Sequence, residues 1–268
     1  MKTIRDVILW QYAKNFSSRV INLNLIFNQT TKIFNMKLTV VIPALNEEKY
    51  IEKTLRSVRE QTIKPEIIVV DSGSSDRTVE LAKNYADKVL VGKKSISYNR
   101  QIGAEAASGE IIVTTDADCI HPPDWLFKLR KHFNDKNIVC VSGQTLPIKE
   151  EGNILDFLCY FTSNVFLKIL NDLSGKALFR GSNVAYRKET FLAAGGYDTN
   201  LKAREDSELT RRLAKYGKTV FDMNIKVYTS MRRRQNLGWV KTIRYYLDTP
   251  ISMITGKIYY EKVEENKK

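Results

Sequence analysis

The chain lacks features that mark several familiar classes of protein. Neither a Walker sequence nor Gly-x-Gly-x-x-Gly follows the first predicted strand, which argues against P-loop and standard dinucleotide-binding folds. Its 3 cysteines are odd in number and lack metal-site spacing, so we predict buried free thiols in a reducing compartment: Cys119, Cys140 and Cys159. No internal repeat or low-complexity linker divides the 268 residues, so we expect one domain, with or without an elaboration.

A clear membrane-spanning run is also missing. The most apolar segment, residues 154–170, is short and interrupted by polar residues, and it predicts either a core helix or a helix in the membrane interface. The first residues do not form a secretory signal, because charges interrupt them at Arg5, Asp6, Lys14 and Arg19. Two interpretations of residues 1–35 stay open, a stretch before a true start at Met36 or a peripheral amphipathic helix.

Acidic residues are scarce at both ends of the chain. The net charge is +13, with five basic residues and one acid in residues 1–35, and ten basic residues and four acids in residues 226–268. No nucleic-acid-binding motif accompanies this charge, whereas apolar and aromatic residues share the segment 237–260. We therefore favour an anionic membrane surface over nucleic acid as the partner, with a solvated basic face as the alternative. The predicted location is cytoplasmic and peripheral, on the inner face of the cell membrane.

Strand-like and helix-like segments alternate along the middle of the chain. Apolar runs at 38–42, 67–70, 89–91 and 111–115 predict four strands, and helical patterns lie between them. Alternation of this kind predicts an α/β fold with a mostly parallel central sheet flanked by helices. We assign this domain to residues 36–230 and predict a basic, amphipathic helical segment over residues 231–268.

Two carboxylates follow the fourth predicted strand. Ile111 to Val113 form an apolar run typical of a buried parallel strand, and Asp116 and Asp118 come directly after it. Open α/β sheets bind ligands at the carboxyl ends of their strands, and hard divalent cations prefer oxygen ligands. The pair therefore predicts a place where a metal ion and a phosphate-bearing ligand meet.

Further loops of polar residues are predicted at the same edge of the sheet, and their order is informative. The motifs are VVIPALNEE at 40–48, VDSGSSDRT at 70–78, NRQIG at 99–103, Asp-Ala-Asp at 116–118 and REDSEL at 204–209. Together they resemble the family 2 glycosyltransferases, over about residues 38–230. The resemblance implies a GT-A fold and an inverting transferase that uses a nucleotide-diphosphate sugar.

The resemblance also implies roles for residues that would bind the donor. Asp118 matches the aspartate that binds Mg²⁺ or Mn²⁺, and Asp116 matches the aspartate near the ribose and metal. Ala117 lies between these two aspartates. Asp71 matches the carboxylate that reads the nucleobase. Further matches to the donor site are Pro43, Asn46 and Glu47, in the first nucleotide loop, and the basic residue Arg100, near base and diphosphate. A late histidine that some relatives give to the metal has no counterpart, since His121 and His132 both lie earlier.

On the acceptor side, Asp206 resembles the general base of these enzymes. It would take the proton from the attacking hydroxyl, and Glu205 beside it would orient the acceptor or the base. Residues that match the segment lining the acceptor and sugar pocket are Gly181, Ser182 and Asn183. The basic run Arg232, Arg233 and Arg234 is predicted to contact the diphosphate or an anionic lipid, with a solvated turn as the alternative.

The expected acceptor is a lipid-linked glycan or another cell-envelope glycan. A polyprenyl phosphate acceptor stays open, although an ionised phosphate would not need the base Asp206. A nucleotide-sugar-binding protein without turnover would be expected to lose Asp118 or Asp206, and both are present. A nucleotidyl transferase would need a basic, glycine-rich loop after the first strand, and residues 43–48 contain no basic residue.

Overall fold

The computed structural model describes residues 36–175, 179–201, 203–232 and 234–236. The strands are β1 (Leu38–Ala44), β2 (Glu66–Asp71), β3 (Lys88–Val91), β4 (Ile111–Thr114), β5 (Cys119–Ile120), β6 (Ile138–Pro147), β7 (Val184–Arg187) and β8 (Lys218–Thr229). The helices are α1 (Ile51–Arg59), α2 (Thr78–Lys83), α3 (Ile96–Ala106), α4 (Trp125–His132), α5 (Ile154–Ser174), α6 (Lys188–Ala193) and α7 (Glu205–Leu213). The predictions for residues 1–35 and 237–260, and most of the helical segment predicted at 231–268, lie outside the described residues.

All eight described strands join one sheet, in the order β3-β2-β1-β4-β7-β6-β8-β5. The half built from β1 to β4 is parallel, as predicted, and the apolar runs of β1, β2 and β4 are buried on both faces, whereas β3, at the edge of the sheet, is partly exposed. Strand β7 then pairs antiparallel with both β4 and β6, which the sequence pattern did not indicate. The α/β fold with helices around a mostly parallel sheet is confirmed.

The register of the parallel half brings three loops to one edge. Ala44, the last residue of β1, pairs with Asp71, the last residue of β2, and Val41 pairs with Thr114 at the end of β4. Because parallel strands all point the same way, the segments that follow them emerge side by side. The edge predicted for ligand binding is therefore formed.

Helix α5 is longer than the sequence pattern suggested. Its 21 residues begin at a capping box between Asn153 and Asp156, and they end at Gly175, whose φ of 61° suits glycine. By length and composition alone it is the one helix of the described residues that could cross a membrane. The prediction of three buried thiols was wrong for Cys159, which is exposed on this helix, whereas Cys119 and Cys140 are buried.

Candidate active site

The centre of the site is a buried arginine that binds three carboxylates. Arg100, on α3, is 2% exposed. Its Nη1 donates to Glu205 Oε1 and to Asp206 Oδ2, both at 2.6 Å, and its Nη2 donates to Asp116 Oδ1 at 2.7 Å. These four residues, here called the Arg100 cluster, join the end of β4 to the start of α7. A single cation thus holds in place three of the acids that the sequence singled out.

The acids at the start of α7 sit where backbone electrostatics favour them. Glu205 and Asp206 occupy the first turn of the helix, next to its unpaired backbone N–H groups. Arg204, just before them, has a positive φ of 65°, which turns the chain sharply into the helix. The turn directs both carboxylates to Arg100 instead of to solvent.

Asp206 has the electrostatic surroundings of a base poised near neutrality. Burial raises the pKa of Asp206 to about 7, against the opposing effect of Arg100, and the negative charges of Glu205 and Asp116 add to the increase. Its Oδ1 also lies 3.1 Å from the hydroxyl of Tyr197. A carboxylate with such a pKa can accept a proton from an acceptor at physiological pH and release it afterwards.

Tyr197 was not predicted to belong to the site. Its hydroxyl contacts Asp206 and lies 3.1 Å from the hydroxyl of Tyr186 on β7. Burial raises the pKa of Tyr197 well above its usual value, so it stays a neutral donor. The sequence marked Gly195 to Asp198 only as a turn, and its sole signal was an aromatic residue beside two glycines.

Gly181 is required because the backbone passes against the Arg100 guanidinium. A Cβ added at this position would overlap the Nη1, Cζ and Nη2 atoms. The Gly181 carbonyl accepts from Thr114 Oγ1 at 2.9 Å, which fixes the loop to the end of β4. Gly181 was predicted to let the backbone approach a ligand. In the structure it lets the backbone approach the side chain of Arg100, which binds the three acids.

Gly181→Ala is therefore expected to lower the free energy of unfolding by about 1–3 kcal/mol, since the methyl group must displace a guanidinium held by three carboxylates. Chemical denaturation at pH 7 measures the loss. The control is the same change in an Arg100→Met background, where the clash is relieved and the added cost should be smaller. Equal costs in both backgrounds would contradict this packing.

The second part of the site lies around Asp118. Oxygens of Asp116 and Asp118 and the sulfur of Cys119 lie within 4.8 Å of one another. Burial raises the pKa of the Cys119 thiol well above its usual range, which leaves it protonated and a poor ligand. The two aspartates offer the oxygen donors that Mg²⁺ and Mn²⁺ prefer, so the residues present fit such an ion.

An arginine side chain contacts Asp118. Arg232 Nε lies 3.1 Å from Asp118 Oδ2, and its two Nη atoms bind both carboxylate oxygens of Glu47. The guanidinium also lies over the ring of Tyr50, 5.2 Å from its centroid. The guanidinium of Arg232 thus neutralises part of the charge of Asp118 and would compete with a metal ion for this carboxylate. In contrast, Arg234 pairs with Asp156 at 2.7 Å, and Arg233 lies outside the described residues.

The two loops predicted to bind the nucleotide, after β1 and after β2, are joined to each other. Asn46, with a positive φ of 52°, accepts at Oδ1 from Ser75 N, and its own N–H donates to Ser74 Oγ. Asp71 accepts from the backbone N–H groups of Gly73 and Ser74 at 2.9 and 3.0 Å, which closes a tight turn. Pro43 lies in β1 just before this pair of loops. Ala117 stands between the two aspartates, and its carbonyl accepts from Thr54.

Three residues that the sequence raised as pocket or metal-binding residues lie behind the site: Ser182, Asn183 and His121. The side chain of Asn183 is fully buried, accepting from Trp125 Nε1 and donating to the Gln144 carbonyl, so it supports strands rather than lining a pocket. Ser182 Oγ is 3.2 Å from Thr145 Oγ1. Both ring nitrogens of His121 contact hydroxyl groups, and burial lowers its pKa to about 3. It is a neutral structural histidine rather than a metal ligand.

Comparison with known proteins agrees with this geometry. The model of "Glycosyl transferase family 2" matches residues 39–191. The glucosyl-dolichyl phosphate glucuronosyltransferase of Haloferax volcanii is 27% identical over 195 residues, covering 65% of this chain and 60% of that protein. The O-antigen chain rhamnosyltransferase RfbN of Salmonella typhimurium is also 27% identical, covering 68% and 62%.

Solved structures show the same fold. A mannosyltransferase of Pyrobaculum calidifontis, in complex with GDP-Man and Mn²⁺, has a TM-score of 0.63 at 20% identity, covering 93% of this chain and 75% of that one. TarS of S. aureus, in complex with UDP-GlcNAc, has a TM-score of 0.57 at 21% identity, covering 73% and 58%. The chain spans about 60% of the length of the two curated relatives above. With more than half of its residues matched by the family model, the chain belongs to glycosyl transferase family 2.

Proposed function

We propose that this glycosyltransferase moves a sugar from a UDP- or GDP-linked donor to a hydroxyl group of a lipid-linked glycan, with inversion at the anomeric carbon. The observation that carries the proposal is the Arg100 cluster. It sets a carboxylate of pKa about 7, Asp206, and a donor-side carboxylate, Asp116, on the same guanidinium. One buried cation thereby fixes the distance between the base and the donor site.

On the donor side, we assign Asp118 and Asp116 to the divalent cation. When bound, Mg²⁺ or Mn²⁺ would neutralise the charge that develops on the departing diphosphate. The loops that contain Asn46 and Asp71 would line the nucleotide pocket. Hydrogen bonds already hold their backbone in place. Complexes of structural neighbours with GDP-Man and Mn²⁺ and with UDP-GlcNAc support this assignment.

On the acceptor side, Asp206 would take the hydroxyl proton as the oxygen attacks the anomeric carbon. The bond from that carbon to the diphosphate breaks, and the nucleoside diphosphate leaves with its electron pair. Arg100 and Tyr197 would keep the carboxylate oriented, while Glu205, on the same guanidinium, would help to keep the pKa of Asp206 raised. No covalent sugar–enzyme intermediate is needed in such a displacement.

A polyprenyl phosphate acceptor is the second candidate. It is favoured by the undecaprenyl-phosphate 4-deoxy-4-formamido-L-arabinose transferase of Photorhabdus laumondii, which is 35% identical over 107 residues. The buried base argues for the hydroxyl acceptor, because a phosphate acceptor is already ionised. In either case the lipid would place the enzyme on the cytoplasmic face of the membrane.

The function is tested by incubating the full chain with a panel of UDP-, GDP-, dTDP- and CMP-sugars, Mn²⁺ and a lipid-linked glycan extract. We expect one nucleotide class to give a product whose anomeric configuration, read from the proton coupling constant, is opposite to that of the donor. Retention of configuration would contradict a single displacement. Transfer of the sugar to polyprenyl phosphates alone would favour the second candidate.

Arg232→Ala is expected to raise the affinity of the nucleotide-free protein for Mn²⁺ by about threefold to tenfold, because a competing cation leaves Asp118. Calorimetric titration with Mn²⁺ alone measures the change. Arg234→Ala is the matched control, since Arg234 pairs with Asp156 and should leave Mn²⁺ affinity unchanged. An unchanged or lower affinity in Arg232→Ala would contradict the assignment of the metal to Asp118.

A further inference from the structure

Helix α5 directs three of its polar residues toward the domain, whereas Thr162 and Asp172 are exposed. Asp156, Asn164 and Asn171 are buried. Asn164 Nδ2 donates to the Thr145 carbonyl of β6 at 2.9 Å, and Asn171 Oδ1 accepts from Thr219 Oγ1 of β8 at 2.9 Å. The helix is thus attached to the sheet by hydrogen bonds along its polar side.

The opposite side of α5 is apolar and faces outward. Seven side chains, here called the apolar stripe, are 40–82% exposed: Ile154, Leu155, Leu158, Phe161, Phe166, Ile169 and Leu173. A helix on a water-soluble domain normally shows the reverse arrangement, with its apolar face on the core. The stripe extends along a helix about 30 Å long, and contiguous apolar surface of this kind marks an interaction site.

We propose that the apolar stripe docks on an anionic phospholipid bilayer, with α5 lying in the plane of the membrane. One face only can meet lipid, because Asn164 and Asn171 remain bonded to β6 and β8 and would be costly to expose to hydrocarbon. The helix therefore lies on the membrane and does not cross it.

Charge complementarity selects the bilayer as the occupant. The chain carries a net charge of +13, and residues 226–268 contain ten basic residues against four acids. One of these basic residues, Arg234, contacts the first turn of α5, since its Nε lies 2.7 Å from Asp156 Oδ1. Positive charge next to an exposed apolar helix face is the combination that binds anionic lipid surfaces.

The same surface lies beside the site. Arg180 Nη2 donates to Ser163 Oγ of α5 at 2.6 Å, and the next residue, Gly181, contacts Arg100. A bilayer on the apolar stripe would therefore present the head group of a lipid-linked acceptor near Asp206. This step deepens the proposed function and rests on it, whereas the docking of α5 itself does not.

The chain contains a natural reporter position for the test. Cys159 is exposed on α5, next to Leu158, and Cys119 and Cys140 are buried, so a thiol-reactive NBD dye should label Cys159 alone in the full folded chain. With vesicles of phosphatidylcholine and phosphatidylglycerol at about 7:3, we expect a blue shift and increased intensity of the dye. Phosphatidylcholine alone or high salt should weaken binding.

Leu158→Glu is expected to weaken vesicle binding about tenfold or more in co-sedimentation, because a charge replaces an exposed apolar anchor. Ile169→Glu, about three turns away from the label, should act in the same direction. The matched control is Leu192→Glu on α6, where the wild-type leucine is 50% exposed against 56% for Leu158, and this variant should bind as the wild type does. Circular dichroism confirms that each variant is folded.

Absence of wild-type binding to the anionic vesicles would overturn the proposal, as would equal binding by Leu158→Glu and Leu192→Glu. A dye shift that depends on protein concentration without vesicles, and that Leu158→Glu abolishes, would identify a second copy as the occupant and also overturn it. Nucleotide binding by Leu158→Glu separates the two claims. If neither the wild type nor any variant binds a nucleotide, the proposed function is rejected. The vesicle result then decides the docking of α5 by itself.

Discussion

Asp206→Asn is expected to lower kcat for sugar transfer by about 10²–10⁴-fold while leaving nucleotide affinity close to that of the wild type. Asparagine is nearly isosteric. Its one amide oxygen can still accept from Arg100 and its Nδ2 can donate to the Tyr197 oxygen, but it cannot take a proton. Initial rates of transfer, with nucleotide affinity measured separately by calorimetry, check the prediction. A variant that keeps more than about a tenth of the wild-type rate would contradict the base assignment.

The pH dependence of the rate gives a second readout for the same residue. Because the pKa of Asp206 is raised to about 7 by burial, the carboxylate is mostly protonated at pH 5.5 and mostly ionised at pH 8. The wild-type kcat should therefore rise with pH and level off above about 8, and the profile of Asp206→Asn should lack this rise. Glu205→Gln is the control in the same cluster and should keep the rise, with its midpoint at lower pH, because the charge of Glu205 helps to raise the pKa of Asp206. If only Glu205→Gln flattened it, Glu205 would be the base.

Arg100→Met is expected to lower the free energy of unfolding by about 3–5 kcal/mol, which is the largest stability effect that we predict. Methionine fills part of the volume but leaves three carboxylates around an apolar side chain. Urea denaturation at pH 8 measures the loss. Arg100→Lys should recover only part of it, because one ammonium group cannot bind Asp116 and Asp206 with the geometry of a guanidinium.

The loss in Arg100→Met should also depend on pH. Without the guanidinium, the pKa of Asp206 would rise further above its value in the unfolded chain, so the folded state would hold a proton that the unfolded state has lost. Stability then falls as pH rises, and the difference from the wild type should be larger at pH 8 than at pH 5.5. Arg187→Met is the control, since Arg187 donates to backbone carbonyls of Phe133 and Ile138. Equal losses in both variants would contradict a role for carboxylate pairing.

The strands and the metal-side acids could be predicted from the sequence because their signals are local. Apolar runs of four or five residues mark β1, β2 and β4, and parallel pairing alone places Asp71 and Asp116 at one edge. The partners of Arg100 could not be found this way. Glu205 and Asp206 lie more than 100 residues further along the chain, and the sequence placed Arg100 near base and diphosphate without a carboxylate partner. Arg232 meets Glu47 across 185 residues.

Helix α5 shows where local signals were present but ambiguous. Its apolar content fits a core helix and an interfacial helix equally well, because composition does not say which side faces the domain. The spacing of Asn164 and Asn171, seven residues apart, puts both on one face and could have indicated a polar inner side. The antiparallel direction of strand β7 depends on the path of the chain after β6, which no local pattern encodes.

In the proposed function, the aspartates after β4 hold a cation and a nucleoside diphosphate at the edge of the sheet. Calorimetric titration of the full wild-type chain and of Asp118→Ala with UDP and GDP, in Mn²⁺ or in EDTA, tests it most directly. We predict that one nucleotide binds the wild type in Mn²⁺ and that EDTA or Asp118→Ala weakens binding by more than about tenfold. Binding of equal strength in Mn²⁺, in EDTA and in Asp118→Ala would contradict a metal-dependent nucleotide site at Asp118.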